Sequence, residues 1–397
     1  MFSFATVASN IATGIDIGTH HVNVVIGERG KSEGKFVKRI VGIGAASSKG
    51  LRHGYIVHAS DAAKSVAQAV AQAERSAQTR IRRAYISIGG ISLESAVVSG
   101  SVVISRADSE ITESDVERAV NAAEESHLGS VQNRRIIHSV PIEYRIDGKE
   151  MLGRPAGMKG LKLEVKTLIV TCLAQHLDDF VEVVEELGIE VEDVVASPLA
   201  AGIVNLTKTQ KIAGVVLANI GAETVSIVVY ENNLPVSLKV FPIGSTDITN
   251  DIALGLKIPL DEAEEVKLKH PRNTEHSQKQ LDDIIEARLT DILELIEAHL
   301  KKIKKSGLLP AGIVITGGGS GVATLEDLAK AALKLPSKVA ELSIASTKGV
   351  IRDPSWSVAY GLALLGLALP SEDPHGFRIT TKRTRDSVLS WVRQFLP

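Results

Sequence analysis

The chain has 397 residues, enough for two to four domains around a large buried core. Hydrophobic residues make up 44% and charged residues 23%, an ordinary soluble balance, and a net charge of −2 excludes a global attraction to nucleic acid. The one cysteine, Cys172 in the apolar run KTLIVTCLA, excludes an internal disulfide, fits a reducing cytoplasm and reads as a small core residue.

No apolar run approaches the ~20 residues that span a bilayer. The opening MFSFATVASNIATG lacks the basic-then-apolar order of a signal peptide and reads as a short leader before the first strand. IATGIDIGTHHVNVVIGERG then reads as strand, Gly-Thr turn, strand. ASDAAKSVAQAVAQAERSAQ has apolar positions three and four apart, the pattern of an amphipathic helix. The texture changes at RRAYISIGGISLESAVVSGSVVIS, which is strand-rich. ITESDVERAVNAAEES is a helix opened by Thr112 with Asp115 three residues on, a capping-box pattern. RRIIHSVPIEYRID and KLEVKTLIVTCLA are strands again, so residues 82–165 look like a small inserted α+β domain.

AGVVLANIGAETVSIVVYENNLP repeats the opening theme of strand, Gly turn, strand, and two such hairpins roughly 200 residues apart indicate an internal duplication. TDITNDIALGLKIPLDEAEEVKLKH and KQLDDIIEARLTDILELIEAHLKKIKKSG read as long helices. AGIVITGGGSGVATLEDLAKAAL is a strand entering a Gly-rich turn and then a helix. WSVAYGLALLGLAL is a last apolar helix before the polar stretch PSEDPHG and a basic, amphipathic tail.

The order GIDIGTHHV, NIGAETVSI and ITGGGSGVATLEDLA resembles the layout of the actin and Hsp70 ATPase superfamily. Within it the chain resembles the bacterial cell-division family FtsA, through RRIIHSVPIEYRIDGKEMLGRPAGMKGLKLEV, ITESDVERAVNAAE, TNDIALGLKIPLDEAEEVK, DPSWSVAYGLALLG and the terminal RDSVLSWVRQFLP. The resemblance implies an α/β, actin-like ATPase fold with two duplicated halves around a nucleotide cleft and an FtsA-type inserted α+β (SHS2) subdomain. It divides the chain into residues 11–81, 166–208 and 350–370 (main subdomain of the first half), 82–165 (insert), 209–242 and 307–349 (main subdomain of the second half), 243–306 (outer subdomain of the second half), 371–382 (linker) and 383–397 (membrane-targeting helix).

In such a fold ATP, with Mg2+, is gripped by backbone N–H groups of the two hairpin turns, where a Cβ would obstruct phosphate. Asp16, Gly18 and Thr19 fit the first turn. His20 and His21 follow, with His21 where the family often has Lys, and the pair reads equally well as exposed turn histidines. The second turn departs further. Asn219 stands where an Asp would hold Mg2+ or its waters and offers a carbonyl oxygen without charge. Gly221 is kept, Ala222, Glu223 and Thr224 follow it, and Ser226 replaces a second Asp. A carboxylate at Glu223 would repel phosphate unless it points away or contacts the metal. Gly244 is kept, with Ser245 in place of a second glycine. On the adenosine side, Gly317, Gly318, Gly319 and Ser320 form a turn able to lie against a base. Glu264 and Lys267 share a helical face, either to reach the ribose and base or as a solvated ion pair. Asp16 and Asn219 are the metal candidates. No residue stands out as a general base, so the sequence suggests nucleotide held with weak or absent hydrolysis.

On a helix from about Asp386, Val388, Leu389, Trp391, Val392, Phe395 and Leu396 fall on one side. Ser387, Ser390, Arg393 and Gln394 fall on the other, and Lys382, Arg383 and Arg385 precede them. Aromatic residues beside basic ones make an interfacial membrane helix; the alternative is a terminal helix docked on the protein's own body. The resemblance further implies a peripheral protein of the cytoplasmic face of the bacterial inner membrane. Its partners would be FtsZ polymers, other division proteins and further copies of itself, with no nucleic acid. A pilus-assembly adaptor like PilM, or an active ATPase or sugar kinase of the same fold, are the alternatives.

Overall fold

The computed structural model describes residues 11–32, 35–269, 278–322, 324–346 and 349–368. It opens on β1 (Ile11–Ile17), β2 (His21–Ser32) and β3 (Lys35–Ser47), an antiparallel meander with Ile17 opposite Val22 and His21 opposite Ser47. The small hairpin β4 (Leu51–Arg52) and β5 (Tyr55–Ile56), the helix α1 (Ala59–Ala77) and β6 (Arg83–Ile88) follow. Ala62, Val66, Ala69, Val70 and Ala73 give α1 its buried face. The helix lies so close to β3 that a Cβ at Gly44 would sit 2.0 Å from the Ala69 carbonyl oxygen.

The insert contains β7 (Glu94–Val103), α2 (Glu113–Leu128), β8 (Arg134–Ile146), β9 (Lys149–Met151) and β10 (Lys162–Leu173). The capping box is formed: the Thr112 N–H and hydroxyl donate to the Asp115 carboxylate at 2.8 and 2.7 Å, and Arg106 and Arg118 pair with the same group. Ile104, Ile111, Val116, Ala119, Val120, Ile146, Leu163 and Val165 make a core of the insert's own.

The chain continues through α3 (Ala174–Glu185), β11 (Glu190–Ala196), α4 (Ser197–Asn205) and α5 (Lys208–Ala213) into the second meander. This is β12 (Val215–Ile220), β13 (Val225–Glu231) and β14 (Leu234–Phe241). Then come α6 (Ser245–Leu256), α7 (Leu260–Lys269), α8 (Gln278–Lys302), β15 (Ile313–Thr316), α9 (Leu325–Leu333), β16 (Ser337–Val339), β17 (Ile344–Ser346), β18 (Gly349–Ile351) and α10 (Ser357–Gly366). The stretch expected as one helix over TDITNDIALGLKIPLDEAEEVKLKH is therefore two. Lys257 takes the left-handed conformation, φ 59°, and Pro259 cannot donate to a continuing helical ladder.

Two sheets carry the fold. One runs β11-β6-β1-β2-β3-β17-β18 and the other β16-β15-β12-β13-β14-β7-β10-β8-β9. Five strands of the first, β11-β6-β1-β2-β3, match β16-β15-β12-β13-β14 of the second in order. They match in direction too: two parallel pairings, then two antiparallel ones. This is the duplication in three dimensions. Along β12, β13 and β14 the second sheet is buried on both faces. Leu217, Val228, Tyr230 and Val240 pack with Leu199 of α4 and Leu362 of α10, while Val216, Ile227 and Val229 pack with Ile252, Leu289 and Ile296 of the second half's helices. Continuous apolar runs such as VVLA and SIVVY follow from burial on both sides.

The sheets shift three expected boundaries. The first is the insert's end at 165, since β10 pairs with β7 and β8 out to residue 171 and beyond. β6 lies between β1 and β11, so residues 83–88 belong to the first half and not to an insert starting at 82. β17 pairs with β3, so residues 344–346 belong to the first half's sheet and not to a second-half range running to 349. Cys172 is fully buried at the inner end of β10, and burial pushes its thiol up to about 12, which fits a core residue. Among the described residues no helix is long and apolar enough to cross a membrane. The linker over 371–382 and the tail helix over 383–397 lie outside the described residues, as do Val388, Leu389, Trp391, Val392, Phe395, Leu396, Arg383, Arg385 and Arg393.

Candidate functional site

The two hairpin turns are built alike. In the first, the Gly18 N–H donates to the His21 carbonyl at 3.1 Å; in the second, the Gly221 N–H donates to the Thr224 carbonyl at 2.9 Å. A Cβ on either glycine would sit 2.9 Å from that same carbonyl oxygen. Asp16 faces Asn23 in its ladder as Asn219 faces Ser226 in the other. The turns therefore share a backbone and differ in side chains.

Asp16 ends β1 half-buried, where it accepts a hydrogen bond from the Ser87 hydroxyl at 2.6 Å. Burial raises its carboxyl to about 6, against the opposing effect of Ser87. A carboxylate held at such a cost is a functional-site signature more than a stabilising contact. His20 and His21 bring their Nδ1 atoms to 2.7 Å, so one ring donates and the other accepts. Burial, then the neighbouring His20, push His21 below its ordinary value, while Asp353 pulls the other way. The short turn Pro354–Trp356 closes this side, with the Asn23 side-chain amide donating to the Ser355 carbonyl at 3.1 Å.

The second turn is braced by the start of α6. Ser245 and Thr246 N–H groups donate to the Gly221 and Ala222 carbonyls at 2.9 and 2.8 Å, and Asp247 accepts from the Gly244 N–H at 2.8 Å. A Cβ on Gly244 would meet the Ala222 carbonyl oxygen at 2.3 Å, so glycine is required there for close approach. Gly317 (φ 94°) is packed against the Asn219 amide oxygen, and Gly319 against Ile220 and Ser245. The Ser320 hydroxyl closes the third turn on the Gly317 carbonyl at 2.7 Å. Glu223 does point away from the turn: its carboxylate accepts from the His53 backbone N–H, and its carbonyl accepts from the His53 ring at 3.3 Å.

Glu264 and Lys267 form their ion pair at 2.7 Å, and both engage Thr249 of α6. Its hydroxyl donates to Glu264 at 2.5 Å and accepts from Lys267 at 2.8 Å. Lys267 also donates to the Ser245 carbonyl at 3.2 Å. Burial alone would raise Glu264, but the Lys267 and Thr249 bonds, with the Lys267 and His20 charges, hold its carboxyl below the ordinary value. Ser355, whose carbonyl accepts from Asn23 of the first hairpin, also lies 3.8 Å from where a Cβ on Gly318 would sit, so the first hairpin adjoins the third turn. Asn219, Gly221–Thr224, Gly244, Glu264, Lys267 and Gly317–Ser320 thus form one connected wall, with the first hairpin joined to it through Ser355.

The residues missed by sequence reasoning are Ser87, Thr249, His53 and Ser355. Ser87 gives no signal in the sequence, because it meets Asp16 only once β6 pairs with β1. The other three likewise have no local signal, since their partners come from far along the chain. Among the described residues no group of three His, Cys, Asp or Glu side chains could hold a metal ion. One carboxylate and one amide oxygen suit Mg2+ that keeps its waters and is shared with phosphate, not a cage of protein ligands.

A family model described as "Cell division protein FtsA" matches residues 216–361, and one described as "SHS2 domain inserted in FTSA" matches residues 90–171. The latter range begins just after β6. The cell division protein FtsA of Pseudomonas aeruginosa is 31% identical over 389 residues, covering 92% of this chain and 91% of that protein. That of Bacillus subtilis is 32% identical over 370 residues, covering 88% and 81%. Among solved structures, a PilM–PilN type IV pilus biogenesis complex aligns with TM-score 0.68 at 17% identity, over 91% of this chain and 100% of that one. MreB5 of Spiroplasma citri bound to ADP aligns with TM-score 0.51 at 12% identity, over 90% and 97%. At those identities the structures establish a shared actin-like ATPase fold and no more. With the inserted SHS2 domain in place and about three residues in ten shared along nine-tenths of a curated relative, the chain belongs to the FtsA family of bacterial cell-division proteins.

Proposed function

We propose that the protein is a membrane-tethering scaffold of cell division that holds ATP in its cleft without turning it over at a significant rate. The observation that carries this reading is the chemical asymmetry of two turns with one backbone design. The first keeps a buried-edge carboxylate, Asp16, while the second offers Asn219 and Ser226 and turns its own carboxylate, Glu223, onto His53. Such a pair positions phosphates and a hydrated Mg2+ but lacks a second acid to order an attacking water. Asp16, Gly18, Thr19, His20, His21, Asn219, Gly221, Ala222, Thr224 and Gly244 would line the phosphates, with Glu223 present only through its backbone while its carboxylate stays on His53. Glu264, Lys267 and Gly317–Ser320 would line adenosine, after the Glu264–Lys267 pair opens towards it.

The work is done at surfaces. Copies of the chain self-associate, the second half's outer helices receive FtsZ polymers, and the insert recruits later division proteins. The tail's apolar face, Val388, Leu389, Trp391, Val392, Phe395 and Leu396 with Arg383, Arg385 and Arg393 beside it, enters the cytoplasmic face of the inner membrane. A single short helix binds weakly; polymerisation multiplies its grip through effective concentration.

Calorimetry with ATP and Mg2+ is expected to give binding, with phosphate release at background. Asn219→Asp is expected to increase the Mg2+ dependence of that binding. Rapid turnover by the unaltered protein would sink the scaffold reading of the cleft. In liposome co-sedimentation the intact chain is expected in the pellet, and a truncation after Thr380 and Trp391→Glu in the supernatant. Equal sedimentation of all three rules out the tail as anchor.

A further inference from the structure

The turn between β4 and β5 is a two-residue loop with both residues at positive φ, His53 at 47° and Gly54 at 80°. Such loops suit tight hairpins, and a histidine in that region is uncommon. What surrounds the loop explains its retention. From the second half, Glu223 of the phosphate turn accepts from the His53 N–H. At the turn between β6 and β7 that enters the insert, the Ile91 N–H donates to the His53 carbonyl at 3.4 Å. Gly54 and Gly90 there cross so closely that a Cβ on Gly54 would sit 2.3 Å from the Gly90 Cα. At the helix leaving the insert, His176 Nε2 donates to the Gly54 carbonyl at 2.8 Å, with its ring stacked on Tyr55 and edge-to-face with Phe180, while its Nδ1 accepts from the Ser92 hydroxyl. Ser92 in turn holds Arg134 of β8 through its carbonyl at 2.5 Å. Both roots of the insert therefore hang on one turn, and the phosphate hairpin grips the other side of it.

The insert has a second hold on the second half. Glu94 of β7 pairs with Lys239 of β14, and the Ser95 hydroxyl both donates to the Leu238 carbonyl at 2.7 Å and accepts from the Leu238 N–H at 2.9 Å. The insert bridges the halves, so a change in the Glu223–His53 contact is felt at its base.

We propose that Glu223 and the His53–Gly54 turn form a clasp that phosphate in the cleft tightens, coupling nucleotide occupancy to the rigidity of the insert. The inference rests on the reading that nucleotide phosphates lie on the second hairpin turn. An anion on that turn raises the energy of every Glu223 rotamer that faces the cleft and leaves the rotamer bonded to His53. The clasp gains population and the insert's roots open less often. Coupling is reciprocal, so a partner that pulls the insert away from its roots weakens nucleotide binding by the same factor.

Hydrogen exchange on the full-length protein, with calorimetry alongside, tests this. ATP with Mg2+ is expected to slow exchange at the amides of 90–96 and 173–177 by about fivefold or more. Adenosine, which carries no phosphate, is expected to leave them unchanged. Glu223→Ala is expected to speed exchange there without nucleotide and to abolish the ATP response. Glu223→Gln keeps an oxygen for the His53 N–H but loses the charge, so it is expected to keep the resting protection and lose the ATP increment. Glu231→Gln, which removes the Lys305 pair at the far end of β13, is the control and should behave as the unaltered protein. Absence of ATP binding overturns the nucleotide reading and this proposal with it. Binding without added protection, a full response in Glu223→Gln, or an equal effect of Glu231→Gln overturns this proposal alone.

Discussion

The two hairpin turns of this protein are an experiment in holding backbone constant while side chains change. Gly18 and Gly221 close the same bond to a carbonyl three residues on, in meanders of the same strand order. Around the first, Asp16 is kept in a setting that burial makes costly. Around the second, Asn219 is neutral, Glu223 is turned aside and the start of α6 supplies the bracing. The same turn backbone persists where the side chains differ, which is what the proposed reading of nucleotide held without turnover requires.

The largest way to break the comparison is at the brace. Gly244→Val forces a side chain into the Ala222 and Glu223 backbone, with no flexible neighbour to give way. Thermal unfolding is expected to show a loss of about 3 kcal/mol, and calorimetry no nucleotide binding. Unchanged stability would mean the second turn is not held as described.

Asp16→Asn sharpens the first turn's side. Its carboxyl is raised to about 6 in the folded protein, above its ordinary value of 3.8. The contribution of this group to stability is therefore greatest below about pH 4 and falls as pH rises through 6. The variant is expected to be more stable than the unaltered protein by about 2 kcal/mol at pH 8, less than the full shift implies because the group is half-buried. The two should be equal near pH 4. Denaturant titrations at both values check it, and ATP binding in Mg2+ should weaken in the same variant. A variant less stable at pH 8 would refute the assignment of cost to Asp16.

The smallest effect concerns charge. His21 is held below its ordinary value, hence neutral at pH 7. His21→Lys is expected to raise ATP affinity a few-fold, about 1 kcal/mol at this exposure, and to flatten its dependence on pH. The unaltered protein should instead bind more tightly only as pH falls below the ordinary histidine value. A pH-independent affinity in the unaltered chain excludes His21 from phosphate contact.

Much of this arrangement was legible before any coordinates. Strand–Gly–strand patterns carry their own periodicity, so both turns and their glycines stand out, as does the Thr112–Asp115 cap. The break at Lys257–Pro259 also has a local signal, since proline inside an apparent helix marks its end. The placement of β6 and β17 has none. Each is a short strand whose sheet is chosen by neighbours dozens to hundreds of residues away, and strand propensity says nothing of which sheet a strand joins.

Local chemistry along the chain was enough to determine the duplicated hairpins, the glycines that permit close backbone approach and the inserted domain's existence. Each depends on residues within one or two turns of one another. Tertiary structure alone decided that Glu223 turns to His53, that Ser87 reaches Asp16, that Glu264 and Lys267 share Thr249, and that the insert's two roots meet at Gly54. Those contacts join residues 15 to 170 positions apart. Their partners are selected by how sheets and helices stack, a property of the packed whole that no short stretch encodes.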